Sequence, residues 1–512
     1  MIIDNIILDI SCGDGDALRE AGRRLKNLGK SAQMPGRIYR KSIDARRKNN
    51  IKFVYAVIFD DDKRGQLELK TGESPQKHKP VIAGFGPAGM FCALILAKHG
   101  YKPLVFEMGA DIAKRVEKTE RLFKSGIIDE RTNVCFGEGG AGTFSDGKLI
   151  TRINDPLCGF VLSNFVKFGA DESILYQAKP HIGTDKIRVI VKNIREEIIR
   201  LGGEIYFNSE ITDINTGIGT TEVTVNNADR YKTRGLFLAG GHSSFRLYDL
   251  LTRRGFAVEP KAYSVGFRIE HKQSYIDELV YGGFAGHKNL PPAEYLLSHK
   301  QPGTRGVYTF CMCPGGVVVN AASENGALVT NGMSYNARSE NNANAAVAVS
   351  VLPEDYGGST DGAFDFRKRL EAGAFKIKNR FAAPVQTLGD YMRDKTGSLE
   401  KSDTAPSYTG EVSEYNLNNL FPEFINASIK DGLVNFDKKM RGYLLDGAVL
   451  TAPETRTSSA VRILRDSISL EAFDGVYPCG EGSGYAGGIT SSAVDGIRCA
   501  VKYMERYSFK IR

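Results

Sequence analysis

A chain of 512 residues is too long for one hydrophobic core, and at roughly 150 residues per domain it has room for about three. Its 42% hydrophobic and 25% charged residues exclude a disordered chain, and the longest apolar stretch, 81–97, is broken early by Gly84, Gly86, Pro87 and Gly89, which reads as strand, turn and helix rather than a membrane span. The net charge of +8 is uneven: twelve Lys and Arg against Glu20 and Asp44 make residues 19–52 +10, so everything else sums to −2.

In chain order, an alternating apolar run at 2–10, helical spacing over 14–28 (Ala17, Leu18, Ala21, Leu25, Leu28) and a strand at 51–59 predict a small basic α/β domain over 1–75. Asp4 and Asp9 stand where a signal peptide has a basic leader, and the eight cysteines include no CxxC pair, so a reducing, cytoplasmic setting away from membranes is expected, without a metal site. The polar segment 60–79 reads as a hairpin or linker. A βαβ unit follows, then a helix over 185–201 stopped by Gly202-Gly203, a strand at 204–208, and apolar alternation at 211–225 and 236–239. The stretch 266–430 mixes short strands, helical pieces and Asn- and Gly-rich loops, and reads as an inserted α+β substrate domain. That leaves 76–265 and 431–512 as two parts of one nucleotide-binding domain.

The chemistry begins in that βαβ unit. Residues 81–89, ValIleAlaGlyPheGlyProAlaGly, are a strand running into GxGxxG: Gly84 allows the tight turn, Gly86 lets the backbone approach a pyrophosphate, and Gly89 lets helix and strand pack closely. Pro87 and Ala88 open the helix whose amino end attracts phosphate. A second strand at 103–106 ends in Glu107, 107 − 89 = 18 residues past the last glycine, where an acid accepts hydrogen bonds from ribose hydroxyls; Met108 adjoins it. A lone fingerprint does not separate NAD from FAD, but two more segments do. Cys479-Gly480-Glu481 with Gly487-Gly488-Ile489-Thr490 resembles the second FAD segment of the glutathione reductase type, and Ala239-Gly240-Gly241 resembles its third glycine strand. In that fold the acid lies beside the ribityl chain and pyrophosphate, and the following helix points its amino end at the flavin pyrimidine ring, where the reduced cofactor is negative.

Three longer motifs, at 137–148 (five glycines, ending GlyLys), 180–185 (ProHisIleGlyThrAsp) and 453–459 (ProGluThrArgThrSerSer), resemble the bacterial family of largely uncharacterised FAD-dependent dehydrogenases over nearly the whole chain. The resemblance implies α/β architecture with a Rossmann-like FAD/NAD(P)-binding domain of glutathione reductase type, non-covalent FAD and oxidoreductase activity; it names no substrate. Two departures stand out: Glu481 where many relatives of the wider fold have Asp, and Gly240 where they have Thr. Because there is one fingerprint, either NAD(P)H binds transiently as electron donor or a small-molecule substrate reduces the flavin itself.

Further candidates are Arg115, either against a phosphate or the flavin loop or exposed on its helix; Gly142 and Thr143, in a loop expected to pass along the flavin; and Ile211, where this fold contacts adenine. His242, His271, Arg268 and Arg338 lie near the expected cleft, and none is assigned as catalytic acid or base. Cys311 and Cys313 fall in a stretch, 309–314, that reads as a strand, where a CxC bridge would be strained, so small buried thiols are expected. A second reading, from another class, makes this a flavin-bound nucleic-acid-interacting or regulatory protein docking through 19–52; the plainer account of that stretch is a solvated helix face and a basic strand edge.

Overall fold

The computed structural model describes residues 1–29, 31, 35–60 and 78–507; most of the expected hairpin or linker at 60–79 lies outside them. The nucleotide-binding part is built on five parallel strands in the order Val476–Pro478, Leu236–Leu238, Val81–Ala83, Leu104–Phe106, Glu204–Tyr206. The first four are wholly buried, as a parallel sheet covered on both faces requires. Helix Pro87–Lys98 is apolar all round because Ala88 through Ala97 are all buried. On one side it meets helix Ile489–Tyr507, so closely that a Cβ on Gly496 would stand 2.1 Å from the Ala88 carbonyl. On the other lies helix Thr184–Arg200, which buries Ile187, Ile190, Val191, Ile194 and Ile198 at helical spacing.

A three-stranded antiparallel meander, Ile211–Gly217, Thr220–Val225 and Asp229–Thr233, connects back to the parallel sheet. The inserted part is dominated by an eight-stranded sheet. Its main path runs Ser298–His299, Val307–Asn320, Asn342–Val351, Tyr263–Lys272, Val449–Glu454, Ala383–Thr387, Val412–Glu414, and Thr330–Met333 pairs with Val307–Asn320. The expected boundaries need correction. Residue 266 falls inside strand Tyr263–Lys272 and residue 430 inside helix Glu423–Lys439, while Val449–Glu454 sits in the middle of the inserted sheet. A strand returning from late in the chain to pair centrally leaves no local signal at its start.

The amino-terminal unit is an antiparallel sheet in the order Ile2–Asp9, Lys52–Ile58, Arg37–Asp44, covered by helix Asp14–Asn27, which buries Ala17, Ala21 and Leu25. Its apolar residues belong to one core with the inserted sheet, so it packs on that sheet. Its basic edge strand also bonds across to the nucleotide-binding part: Lys41 N–H donates to the Tyr176 carbonyl at 2.8 Å, and the Lys41 carbonyl accepts from Ala178 N–H at 2.9 Å. No helix among the described residues is long and apolar enough to cross a membrane.

Candidate functional site

Three adjacent parallel strands end side by side, and each ends in a glycine turn. Val81–Ala83 leads to Gly84 and Gly86, Leu236–Leu238 to Ala239, Gly240 and Gly241, and Val476–Pro478 to Gly480 and Glu481. These turns line one cleft of about 390 Å³, within the usual range of small-molecule sites. Its opposite wall is the inserted sheet, with Phe310, Cys311, Asn331, Glu454 and Arg456.

The cradle is shaped for close backbone approach. Gly84 has φ +100°, and a Cβ on Gly89 would stand 2.0 Å from the Gly84 carbonyl oxygen, so Gly89 serves helix-to-strand packing. At Gly86 an added Cβ would meet Gly140 Cα at an ordinary 3.6 Å, whereas at Gly241, Gly487 and Gly488 it would meet no described atom within 4 Å. No described side chain caps the amino end of helix Pro87–Lys98, whose first N–H groups lack helical acceptors. Backbone donors, open glycine surface and the positive end of a helix together suit a pyrophosphate.

Glu107 is buried and already accepts three main-chain hydrogen bonds: Oε2 from Phe85 N–H at 2.8 Å, and Oε1 from Gly109 and Gly137 N–H at 2.9 Å each. A carboxylate has about four acceptor positions, so one remains on Oε2. Besides facing the cleft, Glu107 ties the fingerprint turn to the loop at 133–148.

Of the residues expected to hold the cofactor, Gly84, Gly86, Pro87, Ala88, Glu107, Met108, Gly142, Ile211, Ala239, Gly240, Gly241, Gly480, Glu481, Gly488 and Ile489 line the cleft. Four do not. Gly89 lies beneath the turn. Thr143 and Thr490 are buried, the latter donating to the Leu149 carbonyl at 2.7 Å. Arg115 is neither exposed nor in the cleft wall. Its guanidinium donates to the carbonyls of Asn133, Val134, Gly137 and Glu138 at 2.6–3.2 Å and lies 4.8 Å from the Phe144 ring centre. It shapes the glycine loop from behind, a role that a helical position cannot announce.

Gly240 also has a local explanation. A Cβ there would come 2.6 Å from Leu247 Cδ2, and Ser244, another cleft residue, donates its hydroxyl to the Gly240 carbonyl. Ser244 thus supplies a hydroxyl four residues beyond the position where the wider fold has threonine. Glu481 is pushed up to about 7 by burial, with Lys261 opposing. His242 Nδ1 stands 3.5 Å from Glu481 Oε1, but burial and the Arg367 and Arg456 cations lower the imidazole to about 3, so it is neutral and the contact is no ion pair.

Sequence reasoning placed Arg338 near the cleft but did not pair it with Asp146 and Lys148 of the glycine loop. Asp146 is fully buried and binds Arg338 through both oxygens, at 3.0 and 2.5 Å, and Lys148 at 2.6 Å. Of the other early candidates, Arg268 is buried against Glu454 at 2.9 Å, just behind the wall, and His271 is buried with Nε2 2.9 Å from the Tyr443 carbonyl, outside the cleft. Cys313 is buried as expected. Cys311 is not simply a core thiol: it lines the cleft, and the strand carrying it is bulged.

A protein from Clostridium beijerinckii named only "Uncharacterized protein" is 46% identical over 493 residues, 92% of each chain. The chain belongs to the family of that clostridial protein. Residues 262–457 match the family described as FAD-dependent protein, C-terminal domain-like, and this span begins just before strand Tyr263–Lys272 and ends just after Val449–Glu454. The family match and the eight-stranded sheet therefore span nearly the same residues. Among solved structures, a flavoprotein/dehydrogenase from Cytophaga hutchinsonii is 13% identical with a TM-score of 0.38, covering 85% of this chain and 80% of its own. The halogenase PltM is 12% identical with a TM-score of 0.36, covering 84% and 70%. Both are too distant to say more about the site.

Proposed function

We propose that the cleft holds FAD non-covalently and that the protein is an FAD-dependent oxidoreductase of the glutathione reductase type, acting on a small molecule bound between the cleft and the inserted sheet. The observation that carries this reading is the meeting of three glycine turns, from residues 84–89, 239–241 and 480–488, around one cleft; no single motif specifies FAD, but three turns on one cleft suit an elongated ligand. The match of residues 262–457 to an FAD-dependent protein domain supports it.

On this reading Gly86, Pro87 and Ala88 hold the pyrophosphate, Glu107 gives its remaining acceptor position to the ribose, and Met108 and Ile211 flank the adenine. Gly142, Lys148 and Ile489 would hold the ring system, where the amino end of helix Ile489–Tyr507 and the Lys148 ammonium would favour negative charge on it. Bound there, FAD supplies electron-pair transfer through N5. Phe310, Asn331 and Glu454 shape the opposite wall and orient what approaches the flavin. The protein's own share is binding, orientation and exclusion of water.

Purified protein is expected to be yellow and to release FAD, identified chromatographically, on heating or acidification. Anaerobic mixing with NADH or NADPH then separates the two donor schemes: bleaching assigns the nicotinamide as transient donor, and its absence assigns reduction to the substrate. Colourless protein that takes up no added FAD would refute the proposal.

A further inference from the structure

The inserted sheet presents a cysteine to the cleft, and a second cysteine turns back toward the first. Strand Val307–Asn320 is irregular where it passes the cleft: its register with Asn342–Val351 shifts between Phe310 and Cys313 and again between Cys313 and Gly316. Cys311 takes φ +43°, the left-handed region. In a regular strand, residues two apart stand roughly 7 Å from one another on the same face. At the bulge the Cys313 thiol instead folds back along the chain and donates to the Cys311 carbonyl at 3.3 Å. Left-handed backbone at a residue other than glycine is uncommon and gathers at functional sites.

The position in the cleft is the second observation. Thr490, in the first turn of helix Ile489–Tyr507, donates to the Leu149 carbonyl at 2.7 Å, and the adjacent Lys148 donates to the Met312 carbonyl. Cys311 thus borders the same end of the cleft as Lys148 and Ile489, the end assigned above to the flavin ring. Arg268 donates to the Cys311 carbonyl at 2.8 Å. The neighbouring Cys313 thiol, with the Arg268 and Lys148 cations, holds the Cys311 thiol below its ordinary range against the opposing effects of burial and Asp146, while Cys313 is raised.

We propose that Cys311 and Cys313 are a redox-active dithiol–disulfide pair that exchanges an electron pair with the bound flavin. This rests on the FAD reading. In the oxidising direction both S–H bonds break and one S–S bond forms; two electrons and one proton pass to oxidised flavin, and the second proton leaves to water. The reverse reaction, from reduced flavin, restores both thiols. Cys311 faces the flavin as the reacting thiolate, and the buried Cys313 is its partner.

The test uses the full-length FAD-loaded protein. Anaerobic dithionite titration of the oxidised form is expected to consume four electron equivalents per flavin, two for the ring and two for the disulfide. Cys311→Ser and Cys313→Ser should each reduce this to two, and Cys12→Ser should leave it at four. A readout independent of the flavin is peptide mapping: trypsin releases 306–338 with these two cysteines and no other, and after mild oxidation it should lose two hydrogens and resist alkylation until reduced. Yellow protein that takes up two equivalents, with both thiols of that peptide still alkylated after oxidation, overturns the pair and leaves the FAD reading standing. Colourless protein overturns both. If the serine variants do not fold, the parent's titration and peptide map still decide.

Discussion

Replacing Glu107 separates two roles that the fingerprint pattern alone would merge. In Glu107→Ala the buried N–H groups of Phe85, Gly109 and Gly137 lose their acceptor, before any ligand is considered. An orphaned buried donor costs about 1–3 kcal/mol; taking the low end because water can enter from the cleft, three donors give about 3 kcal/mol in the apoprotein. Loss of the ribose contact then weakens FAD by a further 1–3 kcal/mol or so, roughly a tenfold to hundredfold change. Glu107→Gln keeps one acceptor oxygen, which serves Gly109 and Gly137 when it faces them and leaves Phe85 unmet, so its apoprotein should lose about a third as much as that of the alanine variant. The chain contains no tryptophan, so unfolding is best followed by circular dichroism and calorimetry, and FAD binding by quenching of the flavin's own fluorescence. Amide exchange adds a local reading, because protection at residues 85, 109 and 137 should fall together. An alanine variant whose apoprotein keeps its unfolding midpoint and exchange protection, losing only FAD affinity, would refute the tying role and return Glu107 to a ribose contact alone.

Gly86→Ala should fold normally, since its Cβ meets Gly140 at an ordinary 3.6 Å, yet lose at least about tenfold in FAD affinity by crowding the pyrophosphate; unchanged affinity would remove that turn from the phosphate site. Glu481, with its carboxyl up at about 7 from burial, binds its proton in the folded state where the unfolded chain has released it, between the ordinary value of 4.5 and about 7. Its contribution to apoprotein stability therefore falls as pH rises through that window, and FAD affinity should fall with the carboxylate's appearance near pH 7; Glu481→Gln should flatten both profiles in melting and titration series. Reversing Arg23, Arg24, Arg46 and Arg47 to Glu should leave FAD occupancy and weak retention on a nucleic-acid matrix unchanged near physiological salt, because exposed charges are screened beyond about 8 Å. Tight RNA binding by the parent with a steep salt dependence would instead favour docking through 19–52.

The fingerprint was legible because its requirements are local: a glycine at positive φ, a backbone that must be approached, a helix that must begin there. Ion pairing in the basic stretch was not. Asp9, Asp14 and Asp16, outside 19–52, pair with Lys52, Lys41 and Arg19, while Glu20 holds Arg23 and Arg24 and Asp44 holds Arg46. Among the described residues, Arg19, Arg23, Arg24, Lys41, Arg46 and Lys52 thus meet an acid of the same small unit, three of those acids being invisible to a count confined to the stretch. Arg115 escaped for a related reason: its partners are main-chain carbonyls 18 to 23 residues later, which have no residue-type signature. The Cys311 bulge is hidden because an alternating apolar run looks the same whether or not one residue is inserted in the pairing.

What distinguishes this cleft physically is the charge buried where its two halves meet. Asp146 belongs to the glycine loop and Arg338 to the inserted part, so their two-point ion pair joins the halves; Lys148 reinforces it through the Met312 carbonyl. Arg268 with Glu454, and Arg456 with Glu371, repeat the arrangement within the inserted part. Burying such pairs is weak as a source of stability, because desolvation consumes most of the attraction, while removing one partner costs about 3–5 kcal/mol. Their value lies in position. Fixed charges that water cannot reorient give the Lys148 end of the cleft a field set in advance, and a wall held by ion pairs from both halves keeps Cys311, Lys148 and the start of helix Ile489–Tyr507 in register without depending on a mobile loop.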